Sequence, residues 1–255
     1  MGDYSQAQEY CITALAIIQA TGHRWQEINV WILLGVLYQE LGELTTAQTS
    51  LHQGLEVARQ IGDEAGQNYL ESNLGLVLRD RGDLAAAEQL FSRRLKLYEA
   101  EQNEYEMSFY LSYLSTVSLQ AGQSRQAIAQ AEQALALRQK LALRLNTPDD
   151  LAVLAKAYLL AGDQVRAVEY ARQTLAILTE CNGEGPEFST RDYFYCYQVL
   201  AAVGESMAAQ SALQAAYALV ISRAGMITDP ALRQSFLECV VINREIVTAC
   251  TLSNQ

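Results

Sequence analysis

Proline, histidine and long apolar runs are scarce in this chain of 255 residues, which has three prolines and two histidines. No apolar run approaches the ~18 to 20 residues of a membrane-spanning helix, so we expect no transmembrane segment. The segment after Met1 is acidic and polar, unlike a signal peptide. Because proline is rare while Ala, Leu, Gln and Glu are abundant, the composition favours long helices.

Positive charge is also scarce. The 18 Lys and Arg residues stand against 29 Asp and Glu residues, which gives a formal net charge of -11. Non-specific attachment to nucleic acid or to an anionic membrane requires clustered Lys and Arg, so we expect neither as a partner. We interpret the two local basic groups as solvated helix faces; they comprise Arg93, Arg94, Lys96, Arg138, Lys140 and Arg144.

Residues suited to catalysis or metal binding form no recognisable motif. The five cysteines are odd in number and lack close pairs, which favours buried, reduced thiols in a cytoplasmic protein. A Gly-x4-Gly-Lys-Ser/Thr loop and a His-Glu-x2-His motif are both absent from the sequence. Asp149 and Asp150 form a carboxylate pair, but the run Thr147-Pro148-Asp149-Asp150 predicts an N-cap, a first-turn proline and a capping-box acid. We therefore expect no enzymatic activity, no cofactor and no metal.

A regular spacing of glycine and alanine organises the chain. Glycines recur at a nearly constant interval, at positions 2, 42, 82, 122, 162 and 204. A register kept over six copies predicts a structural repeat. Five residues after each glycine stands an alanine, in the order Ala7, Ala47, Ala87, Ala127, Ala167 and Ala209.

One copy shows how the repeat is built. Residues 25–41 carry apolar side chains at the spacing of a buried helical stripe, and Gly42 can take the left-handed conformation that ends a helix. A second helix begins near Leu44. We interpret Ala47 as the point of closest approach of the two antiparallel helices, where a larger side chain would force them apart.

Trp31, Leu34, Gly35, Tyr38 and Ala47 resemble the tetratricopeptide signature Trp-x2-Leu-Gly-x2-Tyr followed by Ala, in spacing as well as in type. The resemblance covers nearly the whole chain, although the period set by the glycines is longer than the family's usual one, which is about 34 residues. The resemblance implies an all-α, right-handed α-solenoid of about 12 antiparallel helices with a C-terminal capping helix.

We predict a single solenoid over residues 1–255. It comprises a half-repeat at 1–22, repeats at 23–62, 63–102, 103–145, 146–183 and 189–226, and a capping helix at 229–250. The half-repeat reads as a second helix without its first helix, which leaves an apolar face uncovered and suggests a fragment of a longer protein. Asp229-Pro230 predicts an N-cap and a first-turn proline for the closing helix.

The C-terminal stretch resembles the close of tetratricopeptide arrays in large, multidomain bacterial signalling regulators of the STAND ATPase type. The residues that carry this resemblance are Arg223-Ala224, Asp229, Arg233–Leu237 and Asn243–Ile246; Val241 stands where relatives often have proline. Such regulators pair an NTPase module with a helical sensor array. The resemblance implies a parent protein of that kind in the bacterial cytoplasm.

In this family the first helix of each pair lines a concave groove. Counting from the matched Leu-Gly positions, the resemblance places in that groove Asn29, Leu33, Tyr69, Asn73, Arg79, Phe109, Tyr113, Lys156, Arg191, Tyr195 and Gln198. An alternative is that some of these aromatic residues pack between neighbouring repeats. The family's clamp for a C-terminal carboxylate is not reproduced, because four of its places hold Ile32, Val36, Phe109 and Tyr113.

These features favour non-catalytic binding of a protein or peptide, by the sensor or scaffold array of a signalling regulator. Acidic surfaces favour ligands with some positive charge. One alternative is an array that senses a small-molecule effector and controls an attached ATPase. Another is an intramolecular or self-association module, whose partners include other domains of the same parent chain.

Overall fold

A computed structural model describes residues 4–253, and every regular element in that range is helical. The range contains thirteen α-helices and one short 3₁₀ helix, Arg144–Asn146, so the all-α prediction is confirmed. The α-helices are α1 Tyr4–Thr21, α2 Arg24–Glu40, α3 Leu44–Ile61, α4 Glu64–Asp80, α5 Leu84–Ala100, α6 Glu104–Gln120, α7 Ser124–Lys140, α8 Thr147–Leu160, α9 Gln164–Glu180, α10 Ser189–Ala202, α11 Ser206–Gly225, α12 Pro230–Glu238 and α13 Val241–Ser253.

The helices form the hairpins that the repeat predicts. Each hairpin joins a first helix to a second helix: α2 to α3, α4 to α5, α6 to α7, α8 to α9 and α10 to α11. The five joining glycines at 42, 82, 122, 162 and 204 have φ between 74° and 87°, a region that favours glycine. The first glycine of the series, Gly2, lies outside the described residues.

The alanine five residues after each of these glycines makes the predicted close approach. Ala47, Ala87, Ala127 and Ala167 are 0% exposed, and Ala209 is 3% exposed. In α1, by contrast, Ala7 is exposed and no residue of the helix is fully buried. Tyr10 and Ile17 of α1 are 69% and 60% exposed.

The turn that ends each second helix is left-handed too, but glycine fills it in only some copies. Gly22, Gly62, Gln102, Ala142 and Asn182 occupy this position in successive copies, with φ between 52° and 74°. Alanine and glutamine have a Cβ that clashes in this conformation, so the later copies hold a strained residue where earlier copies have glycine.

The chain packs into two compact units. Unit 1 comprises residues 4–90 and 221–244, and unit 2 comprises 91–220 and 245–253, so the boundaries fall within α5, α11 and α13. None of the helices described here has the length and apolarity that crossing a bilayer takes.

Unit 1 has an apolar core with very close helix contacts. Ile28, Leu51 and Leu70 in this core are at most 1% exposed. A Cβ added to Gly54 would lie 2.6 Å from Cδ2 of Leu70, and one added to Gly35 would lie 2.4 Å from Cδ2 of Leu51. A side chain at either position would therefore force Leu51 or Leu70 to move.

The closing segment of unit 1 packs on the turn between α2 and α3. A Cβ added to Gly42 would lie 3.1 Å from the Cβ of Cys239 and 3.1 Å from the carbonyl oxygen of Ser235. Asp229 caps α12 as predicted, because its Oδ1 accepts from the backbone N–H groups of Ala231 and Leu232 at 2.7 and 3.1 Å.

The structure divides the predicted closing helix in two. The helix stops after Glu238, and α13 begins at Val241. The amide of Asn243 donates to the carbonyl oxygen of Phe236 at 3.0 Å, and Arg244 donates to that of Glu238 at 3.1 Å. These side chains satisfy carbonyl groups near the break, which the helical periodicity alone did not reveal.

Candidate functional site

The first helices of unit 2 are α6, α8 and α10, and we call the surface that they form the first-helix face. Five predicted groove residues on it are half-buried: Phe109, Tyr113, Lys156, Tyr195 and Gln198. The sixth, Arg191, is only 8% exposed. The chain therefore presents most of this predicted set with partial access to solvent, while Arg191 lies beneath the surface.

Aromatic contacts explain why Phe109 and Tyr113 are half-buried. The ring centroid of Phe109 lies 5.0 Å from that of Tyr105 on the same helix. The ring of Tyr113 lies 5.3 Å from Phe91 and 6.1 Å from Tyr110. These rings thus pack against neighbours while keeping part of their surface accessible, a combination of the two interpretations drawn from the sequence.

A cluster of five buried charged residues lies behind this face, and we call it the charge cluster. It consists of Arg138 from α7, Asp149 and Asp150 from α8, and Arg191 and Asp192 from α10. Nη1 of Arg138 lies 2.9 Å from Oδ2 of Asp150 and 3.6 Å from Oδ2 of Asp149. Nη2 of Arg191 lies 2.8 Å from Oδ1 of Asp192 and 3.5 Å from Oδ1 of Asp149. Asp149 therefore links the two arginines and, through them, three helices.

The cluster corrects two sequence predictions. Arg138 is 0% exposed, so it is not on a solvated face. Asp149 and Asp150 are 1% and 0% exposed and pair with arginine, and no side-chain hydrogen bond caps α8. The helix begins at Thr147, whose hydroxyl donates to the carbonyl oxygen of Arg144 at 2.7 Å. Ion pairing inside the unit, rather than capping, accounts for these acids.

Arg138 and Asp150 of the charge cluster occupy places that hold apolar or aromatic residues in the two preceding copies. In the preceding copy, the positions equivalent to Arg138 and Asp150 hold Tyr98 and Tyr110, whose ring centroids are 5.4 Å apart. In the copy before that, the same positions hold Ala58 and Leu70, which belong to the apolar core of unit 1. One repeat position therefore carries an aliphatic, an aromatic and an ionic pair in successive copies.

Burial shifts the ionisation of this cluster. It raises the pKa of Asp150 to about 7, although the attraction of Arg138 opposes the shift. Burial likewise raises the pKa of Asp192 well above its ordinary value, against the attraction of Arg191. Burial disfavours the charged form of Arg191, yet the carboxylates of Asp192 and Asp149 outweigh it and raise the pKa of Arg191. Asp150 and Asp192 thus take up protons more readily than exposed carboxyl groups do, while Arg191 stays charged.

The long loop before α10 reaches the same face. The hydroxyl of Tyr113 donates to both carboxylate oxygens of Glu187 at 3.3 and 3.4 Å. The backbone N–H of Phe188 donates to Oδ1 of Asp149 at 3.1 Å, and the guanidinium carbon of Arg191 lies 4.3 Å from the ring centroid of Phe188. These contacts connect the loop to both the aromatic residues and the charge cluster.

Two further residues complete the electrostatics of unit 2. Burial lowers the pKa of Lys156, and the carboxylate of Glu245 opposes this shift. The guanidinium carbon of Arg191 lies 5.8 Å from the ring centroid of Tyr195. The guanidinium carbon of Arg138 lies 5.1 Å from the ring centroid of Phe109, so two aromatic residues of the face lie next to buried arginines.

The predicted groove residues of unit 1 form a different set. Asn29 is exposed, as are Leu33 and Tyr69, at 57% and 64%. The amide of Asn73 donates to the carbonyl oxygen of Tyr69 at 2.8 Å, within its own helix. Arg79 is 6% exposed and lies 2.8 Å from the carboxylate of Asp80. Arg79 is therefore placed for packing and ion pairing rather than for contact from solvent.

Across residues 4–253 there is no group of three or more His, Cys, Asp or Glu side chains placed to hold a metal ion. Burial raises the pKa of the Cys196 thiol, which disfavours the reactive thiolate. Aromatic rings beside fixed cations can instead provide contact area and hydrogen bonds.

Five residues of this site were not predicted from the sequence: Arg138, Asp149, Asp150, Asp192 and Glu187. A signal existed for two of them, because Arg138 and Asp150 interrupt positions that the repeat register makes apolar. Glu187 carried no such signal, since it lies in the loop that breaks the register.

Family models match two segments of the chain. A tetratricopeptide repeat model matches residues 28–61, and another tetratricopeptide repeat model matches residues 72–101. These segments lie in the hairpins α2–α3 and α4–α5, so the predicted repeat type is confirmed. No curated protein matches the chain by sequence.

Solved structures with similar folds include BtubC (BKLC) from P. vanneervenii, with a TM-score of 0.62 and 16% identity over 89% of this chain and 93% of that one. RapI has a TM-score of 0.61 and 12% identity, over 98% of this chain and 96% of that one. A signal transduction ATPase with numerous domains and a tetratricopeptide repeat sensor, from Pyrococcus horikoshii, has a TM-score of 0.59 and 14% identity. That alignment covers 91% of this chain and 38% of that one. At these identities the likeness concerns the fold.

Proposed function

The chain carries tetratricopeptide repeats, and we propose that it is a non-catalytic scaffold whose first-helix face in unit 2 binds an extended segment of another protein. The observation that carries this proposal is the row of half-buried aromatic residues supported by the charge cluster. Tyr105, Phe109, Tyr113 and Tyr195 offer ring surface to a ligand. Aromatic anchors of this kind contribute strongly to binding because they bury large areas at a low cost in entropy.

Charge defines the partner further. The chain has a formal net charge of -11, and Glu187 lies at the face beside Tyr113. A partner segment that combines apolar side chains with Lys or Arg is complementary to this surface. Nucleic acid is not among the partners that we propose, since its phosphates would meet net negative charge.

The setting that we propose is the sensor or interaction array of a bacterial signalling regulator in the cytoplasm. The C-terminal resemblance to STAND-type regulators supports it, as does the structural likeness to an ATPase described as having a tetratricopeptide repeat sensor. All five cysteines are free thiols, in agreement with a reducing compartment.

Peptide selection tests the binding proposal. A random peptide library is screened against the whole chain, and the affinity of a selected peptide is measured by fluorescence anisotropy. Alanine at Tyr113 or Tyr195 should weaken binding at least about tenfold, as expected for an aromatic anchor. Met207→Ala is the matched control, because Met207 is 91% exposed on a second helix of the same unit. Unchanged affinity in folded tyrosine variants, checked by circular dichroism, would contradict the proposal.

A second candidate function is self-association or docking of a neighbouring domain. The exposed Tyr10 and Ile17 of α1 favour it, since the equivalent second helices bury the alanine that α1 exposes. Sedimentation velocity of the wild type and of the double variant Tyr10→Ser/Ile17→Ser distinguishes self-association from docking of a neighbouring domain. A monomer at all concentrations would rule out self-association of the chain.

A further inference from the structure

A cleft of about 500 Å³ in unit 2 is lined by residues near the C-terminal ends of α7 and α9 and by Thr147 and Leu151 at the start of α8. Its volume falls within the range of small-molecule sites. The residues that line it are mostly aliphatic or uncharged; six of them are Leu135, Thr147, Leu151, Gln173, Ala176 and Ile177.

The cleft coincides with two departures from the repeat. The first helix α6 begins at Glu104, so the register predicts a start at residue 144, but α8 begins three residues later, at Thr147. A 3₁₀ turn, Arg144–Asn146, replaces the missing helical turn beside the cleft. In addition, Arg138 lines the cleft where the preceding copy has Tyr98.

Arg138, which lines this cleft, carries an unsatisfied hydrogen-bond donor. Its Nη1 donates to Asp150 at 2.9 Å and to the carbonyl oxygen of Asn146. Its Nε is buried and has no hydrogen-bond partner among the described residues. A buried N–H group without a partner is destabilising, so an acceptor that reaches it is favoured.

The charges around the cleft are already paired. Asp149 and Asp150 face Arg138, and at the mouth Arg144 pairs with Glu180, each of these two more than half exposed. An anionic ligand would meet two buried carboxylates behind Arg138, and a cationic ligand would meet the guanidinium groups. An uncharged molecule avoids both penalties.

We propose that this cleft binds a small, uncharged, largely apolar molecule that bears a carbonyl oxygen. Its apolar body lies against Leu135, Leu151 and Ile177, and its carbonyl accepts a hydrogen bond from Nε of Arg138. The cleft shares Arg138 with the charge cluster, and the guanidinium carbon of Arg138 lies 5.1 Å from the ring centroid of Phe109 on the first-helix face. The ligand itself lies against α7, α8 and α9, so its binding is tested separately from peptide binding to that face.

Three naphthalene probes test the chemical class. Prodan is uncharged and bears a ketone, N-phenyl-1-naphthylamine is uncharged without a carbonyl, and 8-anilinonaphthalene-1-sulfonate is anionic. Fluorescence titration of the whole chain should show Prodan binding about tenfold more tightly than either of the others, the effect of one hydrogen bond to a charged donor. Equal affinities of the three probes, or a preference for the anion, would overturn the proposal.

Variants locate the site. Ala176→Trp fills the cleft from an exposed position of α9 and should abolish Prodan binding. Ala136→Trp is the matched control, because Ala136 is exposed at the same position of the preceding second helix and does not line the cleft. Prodan binding that survives Ala176→Trp, or that Ala136→Trp abolishes equally, would place the probe elsewhere and overturn the proposal.

Arg138→Lys tests the donor itself. It keeps a positive charge opposite Asp150 but removes the Nε–H group. We expect the advantage of Prodan over N-phenyl-1-naphthylamine to disappear, while both still bind through their rings. An unchanged advantage in a folded Arg138→Lys variant would overturn the role of Nε, and the tryptophan pair above remains decisive if this variant fails to fold.

Discussion

Unit 1 and unit 2 solve the same packing problem with different chemistry. At one repeat position unit 1 packs Ala58 and Leu70 in an apolar core, whereas unit 2 pairs Arg138 with Asp150 at 2.9 Å. An apolar pair needs only a matching shape. A buried ion pair must also recover the cost of desolvating both charges, which is why three further charged residues surround it. The hairpin geometry therefore does not dictate which chemistry fills it.

The comparison also supports the binding that we propose for unit 2. Burying charge is weak evidence for stability, because apolar replacements of similar volume are often equally stable. Charge at a position that other copies make apolar thus points to a role in holding neighbouring groups in place. In unit 2 those neighbours are the aromatic residues of the first-helix face and the loop that carries Glu187.

The largest effect should come from removing one partner of the charge cluster. Arg138→Met leaves Asp150 buried without its cation and leaves Asp149 with Arg191 alone, so it should lower the free energy of unfolding by about 3–5 kcal/mol. Lys140→Met on the same helix is the control; its pair with Glu104 is solvent-exposed and contributes at most about 1 kcal/mol. Urea unfolding measures the free energy of unfolding of both variants. Similar decreases in the two would show that the buried cluster contributes no more to stability than an exposed ion pair.

Unit 1 should respond instead to added volume. In Gly54→Ala the new Cβ would lie 2.6 Å from Leu70 and 2.9 Å from Trp31, so we expect a loss of about 1–3 kcal/mol from overpacking. Gly225→Ala is the control, since nothing lies within 4 Å of a Cβ there. If both variants unfold at the same urea concentration, helix contacts in unit 1 are looser than the structure indicates.

The pH dependence of stability should distinguish the Arg138–Asp150 pair of unit 2 from the apolar pair of unit 1. Since burial raises the pKa of Asp150 to about 7, the folded protein holds a proton that the unfolded chain releases near pH 4. This proton stabilises the fold at low pH, and its contribution is lost as the pH rises from about 4 to about 7. Relative to Asp150→Asn, the wild type should lose stability across this window, as followed by urea midpoints. A difference that does not change with pH would contradict the raised pKa.

The smallest effect concerns the left-handed turns after the second helices. Ala142→Gly in unit 2 should gain about 0.5–1 kcal/mol by relieving the strained φ of 56°. Gly62→Ala at the equivalent turn of unit 1, with φ of 71°, should lose a similar amount. Thermal melts of the two variants should therefore shift in opposite directions, and a shift of the same sign in both would refute the strain argument.

The helices were predictable from the sequence because the repeat is local. Gly42 and Ala47 recur at fixed intervals, and each has one physical role, a left-handed turn or a close helix approach. Such roles depend on neighbours within one hairpin. The spacing of glycine and alanine in the sequence was therefore enough to predict the hairpins and their joining turns.

The charge cluster was not predicted because its partners come from separate copies. In the sequence, Arg138 stands near Lys140 and resembles part of a solvated basic group, while Asp149 follows Pro148 and resembles a helix cap. In the structure, Arg138 and Asp149 lie 3.6 Å apart inside unit 2. The position of Arg138 holds Tyr98 in the preceding copy, and the position of Asp150 holds Leu70 two copies earlier. Because both of these are core residues, a comparison of equivalent positions indicates that the two charged side chains are buried. The break between α12 and α13 had no such signal.

The most direct measurement is amide hydrogen exchange of the whole chain with and without a selected peptide. We predict slower exchange in α6, α8, α10 and the loop at 181–188, with little change in α7, α9 and α11. Protection confined to those second helices, or to helices of unit 1, would contradict the assignment of binding to the first-helix face of unit 2.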